Sequence, residues 1–155
     1  MKQSDAPQKR IEARTVSEVM TAPAVAVSPG TAVRELKALF EAHDFNAFPV
    51  VDDRGILCGI VTKLDFLRMF RPARRRWLPD LRAVWAERVE DIMCCALIAV
   101  EPQDSVSAAI DLMVESKLRS LPVVERHPAG PVLVGIVSRQ DLLRCLTIEE
   151  DRGHA

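Results

Sequence analysis

Apolar residues in this chain fall into short runs and one-sided helical spacings, and the whole pattern occurs twice. Residues 24–27 (Ala-Val-Ala-Val) form a short apolar run that reads as a strand, and residues 97–100 (Leu-Ile-Ala-Val) repeat it. Pro29-Gly30-Thr31 and Pro102-Gln103-Asp104 then predict helix starts, with Thr31 and Asp104 as N-caps. Val33, Leu36 and Phe40 mark one face of the first helix, and Val106, Ile110 and Met113 mark that of its copy. Apolar strands follow at residues 47–51 and 120–124. Asp52-Asp53-Arg54-Gly55 has hairpin-turn chemistry. Second strands are predicted at 56–61 and 132–137, each running into a closing helix. Leu64 and Leu67 are expected to face inward from one closing helix, and Leu142, Leu143 and Leu146 from the other. Each unit thus reads strand–helix–strand–strand–helix, an α+β arrangement of mixed layers.

The two units are in register over most of their length. Val16-Ser17-Glu18-Val19-Met20 answers to Val89-Glu90-Asp91-Ile92-Met93, an offset of 73 residues. The same offset relates Phe48-Pro49-Val50-Val51 to Leu121-Pro122-Val123-Val124, and it grows to 76 between Gly59 and Gly135. The three added residues fall in the turn near residues 127–131, where an insertion costs little. The chain therefore divides into a polar tail at 1–14, a first repeat at 15–70, a connecting segment at 71–88, a second repeat at 89–148 and a polar tail at 149–155. The connector carries Arg74-Arg75-Arg76, and Leu81, Val84 and Trp85 have helical spacing. It predicts a short amphipathic helix that either covers the repeats with Trp77 and Trp85 or meets a partner surface.

Composition narrows the function. With 48% hydrophobic and 28% charged residues, the 155-residue chain can bury a sizeable core. A net charge of −1 gives no general attraction to nucleic acid or membranes. Cys58, Cys94, Cys95 and Cys145 form no C-x-x-C pair and have apolar flanks, so they are expected as small buried hydrophobes in a reducing, cytoplasmic setting. No leader or membrane-length apolar run is read. His43, His127 and His154 lack metal-ligand spacing, no phosphate-binding loop motif is present, and no nucleophile sits beside a base. A metal site and an enzyme are not expected.

The candidate chemistry lies in Gly59-Ile60-Val61-Thr62-Lys63-Leu64-Asp65 and its copy Gly135-Ile136-Val137-Ser138-Arg139-Gln140-Asp141. A strand running into a helix start presents free N–H groups suited to a phosphate or a sugar diol. Asp65 and Asp141 could accept hydrogen bonds from a ribose diol, with Thr62 and Ser138 donating to a phosphate or ribose oxygen. The same hydroxyl-x-x-acid spacing is also a capping box, which needs no ligand. Both readings stand on spacing alone. Lys63, Arg139 and Arg119 are the cations available to a phosphate. Asn46-Ala47 stands in the first repeat where Arg119-Ser120 stands in the second, so unequal sites are expected.

The ordered set of Val19-Met20 and Ile92-Met93, Val27-Ser28-Pro29 and Val100-Glu101-Pro102, the two Pro-Val-Val strands and the two Gly-Ile-Val-Thr/Ser-x-x-Asp stretches resembles a pair of cystathionine β-synthase (CBS) domains, the Bateman module. The resemblance spans about residues 15–146. It implies a pseudo-two-fold pair with two clefts, each built from both repeats, that hold adenosyl ligands such as AMP, ADP, ATP or S-adenosylmethionine. It also implies that the segments around Val16 to Met20 and Val89 to Met93 supply an adenine slot. Asn46, Ala47, Arg119 and Ser120 would add backbone groups. A regulatory homodimer acting on a partner in trans is implied as well, with no required cofactor. The alternative is a dimerising scaffold with empty clefts, pairing through the helices that carry Phe40 and Met113.

Overall fold

The computed structural model describes residues 14–70 and 87–146. The predicted connector helix, with Arg74–Arg76, Trp77 and Trp85, lies outside the described residues, as do the two tails. In the first repeat, helix α1 (Val33–Ala42) precedes strands β1 (Ala47–Val51) and β2 (Leu57–Thr62) and helix α2 (Lys63–Arg68). The second repeat has helix α3 (Val106–Ser116), strands β3 (Ser120–His127) and β4 (Gly130–Ser138) and helix α4 (Arg139–Cys145). Single 3-10 turns, Val16–Glu18 and Val89–Asp91, precede the two halves.

β1 and β2 pair antiparallel, and so do β3 and β4. Both ladders shift register at the same place, between Val50 and Val51 and between Val123 and Val124. The first hairpin turn closes as its sequence predicts. The Gly55 amide donates to the Asp52 carbonyl at 2.9 Å, and Gly55 takes the positive φ of 78° that favours glycine. The Asp52 carboxylate accepts from the Ile56 and Arg54 amides, which holds its pKa below the usual carboxylate value.

Several local expectations differ from what is observed. The predicted strands at 24–27 and 97–100 shrink to single parallel bridges, Val27 with Val50 and Val100 with Val123. The helix caps fall one residue later. Ala32 and Ser105 are the N-caps, and only Ser105 accepts from a helix amide, that of Ala108 at 3.0 Å. Thr31 instead accepts from the Ser28 amide and Asp104 from the Glu101 amide, so both close the preceding turn. Leu64, Leu67 and Leu143 point outward, at 57%, 62% and 62% exposure, whereas Leu142 is buried and Phe66 packs on the first core. Cys94 and Cys95 are exposed, not buried, because the chain there runs along the surface after the Val89–Asp91 turn. Met113 is buried, and the half-buried Phe40 packs on Phe48.

The cores show how the repeats combine. One core contains Val100, Val106, Met113, Leu121, Val123 and Val137 of the second repeat together with Val16 of the first. The other contains Val27, Leu36, Phe48, Val50 and Val61 of the first together with Val89 of the second. Each leading segment has crossed to the opposite half. The Val16 and Ser17 amides donate to the Asp104 and Pro102 carbonyls, and the Val89 and Glu90 amides donate to those of Thr31 and Pro29. Bridges of Thr21 with Ile136 and of Cys94 with Ile60 complete the exchange.

Glycine permits this close approach. A Cβ on Gly135 would lie 2.9 Å from Met20 Sδ and 3.0 Å from the Thr21 carbonyl oxygen, and one on Gly59 would lie 2.7 Å from Met93 Sδ. Gly135→Ala is expected to destabilise the fold by about 1–3 kcal/mol, because backbone as well as a side chain must move. Gly59→Ala should cost less, since the flexible Met93 thioether can swing aside and the Cys94 carbonyl oxygen lies farther off, at 3.3 Å. Urea unfolding of the two variants checks the order.

Candidate functional site

The Thr21–Ile136 bridge sets the leading segment of the first repeat beside the end of β4. A cleft of about 700 Å³ opens there. One wall comes from Thr21, Pro23 and Val25, and another from Asp44, Phe45, Asn46 and Ala47 before β1. Arg119 and Ser120 start β3 on a third side. Ser138, Arg139, Gln140, Asp141, Leu143 and Arg144 close the site from the β4–α4 junction. Pro23, Val25 and Phe45 supply exposed apolar surface, and the Phe45 ring stacks on His43 at 4.8 Å.

At the junction, the Asp141 carboxylate folds back onto the helix start. Its Oδ2 accepts from the Ser138 amide at 2.8 Å and the Ser138 hydroxyl at 2.7 Å, while Ser138 Oγ accepts from the Asp141 amide at 3.2 Å. Thr62 and Asp65 make the same box, at 2.9, 2.7 and 3.1 Å. The capping reading is thus realised at both copies. In this state each hydroxyl gives its single proton to its own aspartate. The box leaves one carboxylate oxygen over at each copy, and here the copies differ. Asp65 Oδ1 accepts from Arg68 at 2.9 Å, whereas Asp141 Oδ1 lies 4.0 Å from Arg144.

Of the residues singled out from sequence, Asn46, Ala47, Arg119, Ser120, Ser138, Arg139 and Asp141 come together on this cleft. Thr62, Lys63 and Asp65 sit at the corresponding β2–α2 junction of the other repeat, with Lys63 Nζ 3.6 Å from Asp44. Val16 and Val89 have no exposed surface and belong to the cores. Met20 and Met93 pack on Gly135 and Gly59. The leading segment lines this cleft with Thr21, Pro23 and Val25, just past the Val16 to Met20 stretch, and Asp44 and Phe45 join the lining without having been singled out by the sequence. Their signal was adjacency to Asn46 and to the end of the leading segment.

The described residues hold no group of three or more His, Cys, Asp or Glu side chains placed to bind a metal ion. Burial, with Asp52 and Cys95 nearby, pushes the Cys58 thiol above its ordinary pKa and leaves it a poor nucleophile.

The family profile described as CBS domain matches residues 16–71 and 89–148, which is most of the chain and both repeats. The chain belongs to the CBS domain family. This CBS pair is 31% identical over 142 residues to the CBS domain-containing protein YhcV of Bacillus subtilis, covering 91% of each chain. Other curated relatives are longer, and the chain spans 31% and 47% of two of them. Among solved structures, CBSX2 in complex with AMP aligns with a TM-score of 0.71 at 28% identity, over 84% of this chain and 93% of that one. CBSX2 is a chloroplastic protein of Arabidopsis thaliana. The CBS domain pair of MJ0100, in complex with 5′-methylthioadenosine and S-adenosyl-L-methionine, aligns with a TM-score of 0.70 at 23% identity, over 84% and 94%, and speaks for the fold. The α+β pair of repeats read from sequence is the architecture of these structures. No helix among the described residues is long and apolar enough to cross a membrane.

Ser138→Ala removes the cap acceptor and leaves Asp141 Oδ2 with the Ser138 amide alone. A loss of about 1 kcal/mol is expected, read as a lower urea midpoint at unchanged slope.

Proposed function

We propose that this CBS pair is a regulatory sensor. An adenosine-containing ligand enters the cleft at the β4–α4 junction, and the bound state is passed in trans to a partner protein by a homodimer. The observation that carries this reading is the convergence, in one cleft of both repeats, of the Asp141 Oδ1 acceptor, three arginines and an apolar wall. The adenine would lie against Pro23, Val25 and Phe45. Asp141 Oδ1 would accept from the ribose diol, and Arg119, Arg139 and Arg144 would face the phosphate. The AMP complex of CBSX2, a relative of the same fold at 28% identity, supports the ligand class.

Asp65, held by Arg68, would bind more weakly at its own junction, because a ribose there must displace an existing ion pair. Ligand in the cleft would tie residues 21–25 and 44–47 of the first repeat to 138–144 of the second. It would favour whichever arrangement of the halves it binds better, and that difference alone sets the strength of the response.

Thermal unfolding with AMP, ADP, ATP and S-adenosylmethionine tests the proposal. At about 100 times its dissociation constant a ligand adds about 2.7 kcal/mol, a rise of about 5–10 °C for a chain this size. Asp141→Asn keeps a carbonyl acceptor for the cap but removes the charge, and it should weaken binding about tenfold or more. If none of the four compounds moves the midpoint, the chain is a scaffold and the sensing role is wrong.

A further inference from the structure

We infer that the cleft at the β4–α4 junction selects its ligand by phosphate count, taking a nucleoside di- or triphosphate in preference to a monophosphate or a sulfonium nucleoside. This rests on the adenosine reading above and narrows it. Ser120 and Ser138 are Cα partners at the end of the β3–β4 ladder. Arg119 lies just before β3 and Arg139 opens α4, and the two are joined by the Arg139 amide donating to the Arg119 carbonyl at 3.0 Å. Both side chains are exposed, and both line the cleft. Arg139 Nε is anchored on the Leu118 carbonyl at 2.9 Å, which places its guanidinium beside the start of β3. Arg144, three residues past Asp141, adds a third cation, offset in part by the Asp141 carboxylate at 4.0 Å.

The carboxylates lining the cleft are Asp44 and Asp141. Asp44 is already paired with Lys63 at 3.6 Å, and Asp141 Oδ2 is occupied by Ser138. Among the described residues neither Arg119 nor Arg139 makes an ion pair with a carboxylate. Two exposed arginines that no carboxylate neutralises gain from an anion in the cleft they line, and arginine forks suit phosphate oxygens. The first repeat lacks this device: Asn46 and Lys63 hold the equivalent places, joined by the Lys63 amide on the Asn46 carbonyl at 2.9 Å. A monophosphate offers these cations one charged group, whereas each added phosphate brings further charge and oxygens. A sulfonium would meet the same three cations as a like charge.

The test is calorimetric titration of the full chain with AMP, ADP, ATP, S-adenosylmethionine and inorganic triphosphate at fixed salt, repeated with Arg119→Gln. ADP and ATP are expected to bind about tenfold or more tighter than AMP, the size of one charge-assisted contact. In Arg119→Gln that ratio should fall below about threefold, with ATP losing more than AMP. The unliganded variant should unfold no earlier than the parent, since the Arg119 side chain is exposed and makes no ion pair with a carboxylate among the described residues. Equal affinity for AMP and ATP, tighter binding of S-adenosylmethionine, or a ratio that survives Arg119→Gln overturns the inference and leaves the adenosine reading standing. Inorganic triphosphate binding as tightly as ATP would support the polyanion preference while overturning the adenosine reading. Silence from every compound would overturn both.

Discussion

Everything in this molecule hangs on the exchange of leading segments between its two halves. Val16 is fully buried among second-repeat residues and Val89 among first-repeat residues. A fully buried side chain of this kind contributes about 1.5–3 kcal/mol. Neither half has a complete core without the other's valine. The crossing also fills backbone demands, because the carbonyls of Asp104, Pro102, Thr31 and Pro29 are met by amides from the opposite repeat. Gly59 and Gly135 are the points where the crossing segments pass closest, and the absence of a Cβ there lets Met93 and Met20 lie flat on the strands.

The cleft is a consequence of that crossing. Thr21 lands on Ile136, so residues 21–25 form a wall next to Ser138 and Asp141 although they lie far away in the chain. The lining residues of the cleft come from both halves, so the opening spans the same boundary that the exchanged segments hold together.

Pseudo-symmetry makes the remaining differences informative. The two hydroxyl–aspartate boxes agree in their hydrogen bonds to within about 0.1 Å. Shared geometry of this kind belongs to the local helix start. What distinguishes the copies lies just outside the box: Arg68 within hydrogen-bonding distance of Asp65 against Arg144 at 4.0 Å from Asp141, and Asn46 with Lys63 against Arg119 with Arg139. The two copies share their folding signals and differ in the charges around them.

Much of the fold was legible because it is encoded locally. The doubled pattern, the β1–β2 turn with its glycine, the apolar strands and the hydroxyl-x-x-acid boxes each follow from neighbours within a few residues. Leu64, Leu67 and Leu143 were misassigned because helices of six and seven residues are too short for a 3.6-residue period to define a face. Thr31 and Asp104 were misplaced as caps because the same side chains close a turn one residue earlier as readily as they start a helix. The amino-acid sequence by itself thus determined the repeat, its elements and the identity of the acidic and basic groups. Only the tertiary structure decided which half each leading segment completes, that the apolar wall is at 21–25, and that Asp141, Arg119, Arg139 and Arg144 share one opening. Those outcomes depend on contacts between residues remote in sequence, and no local spacing records them.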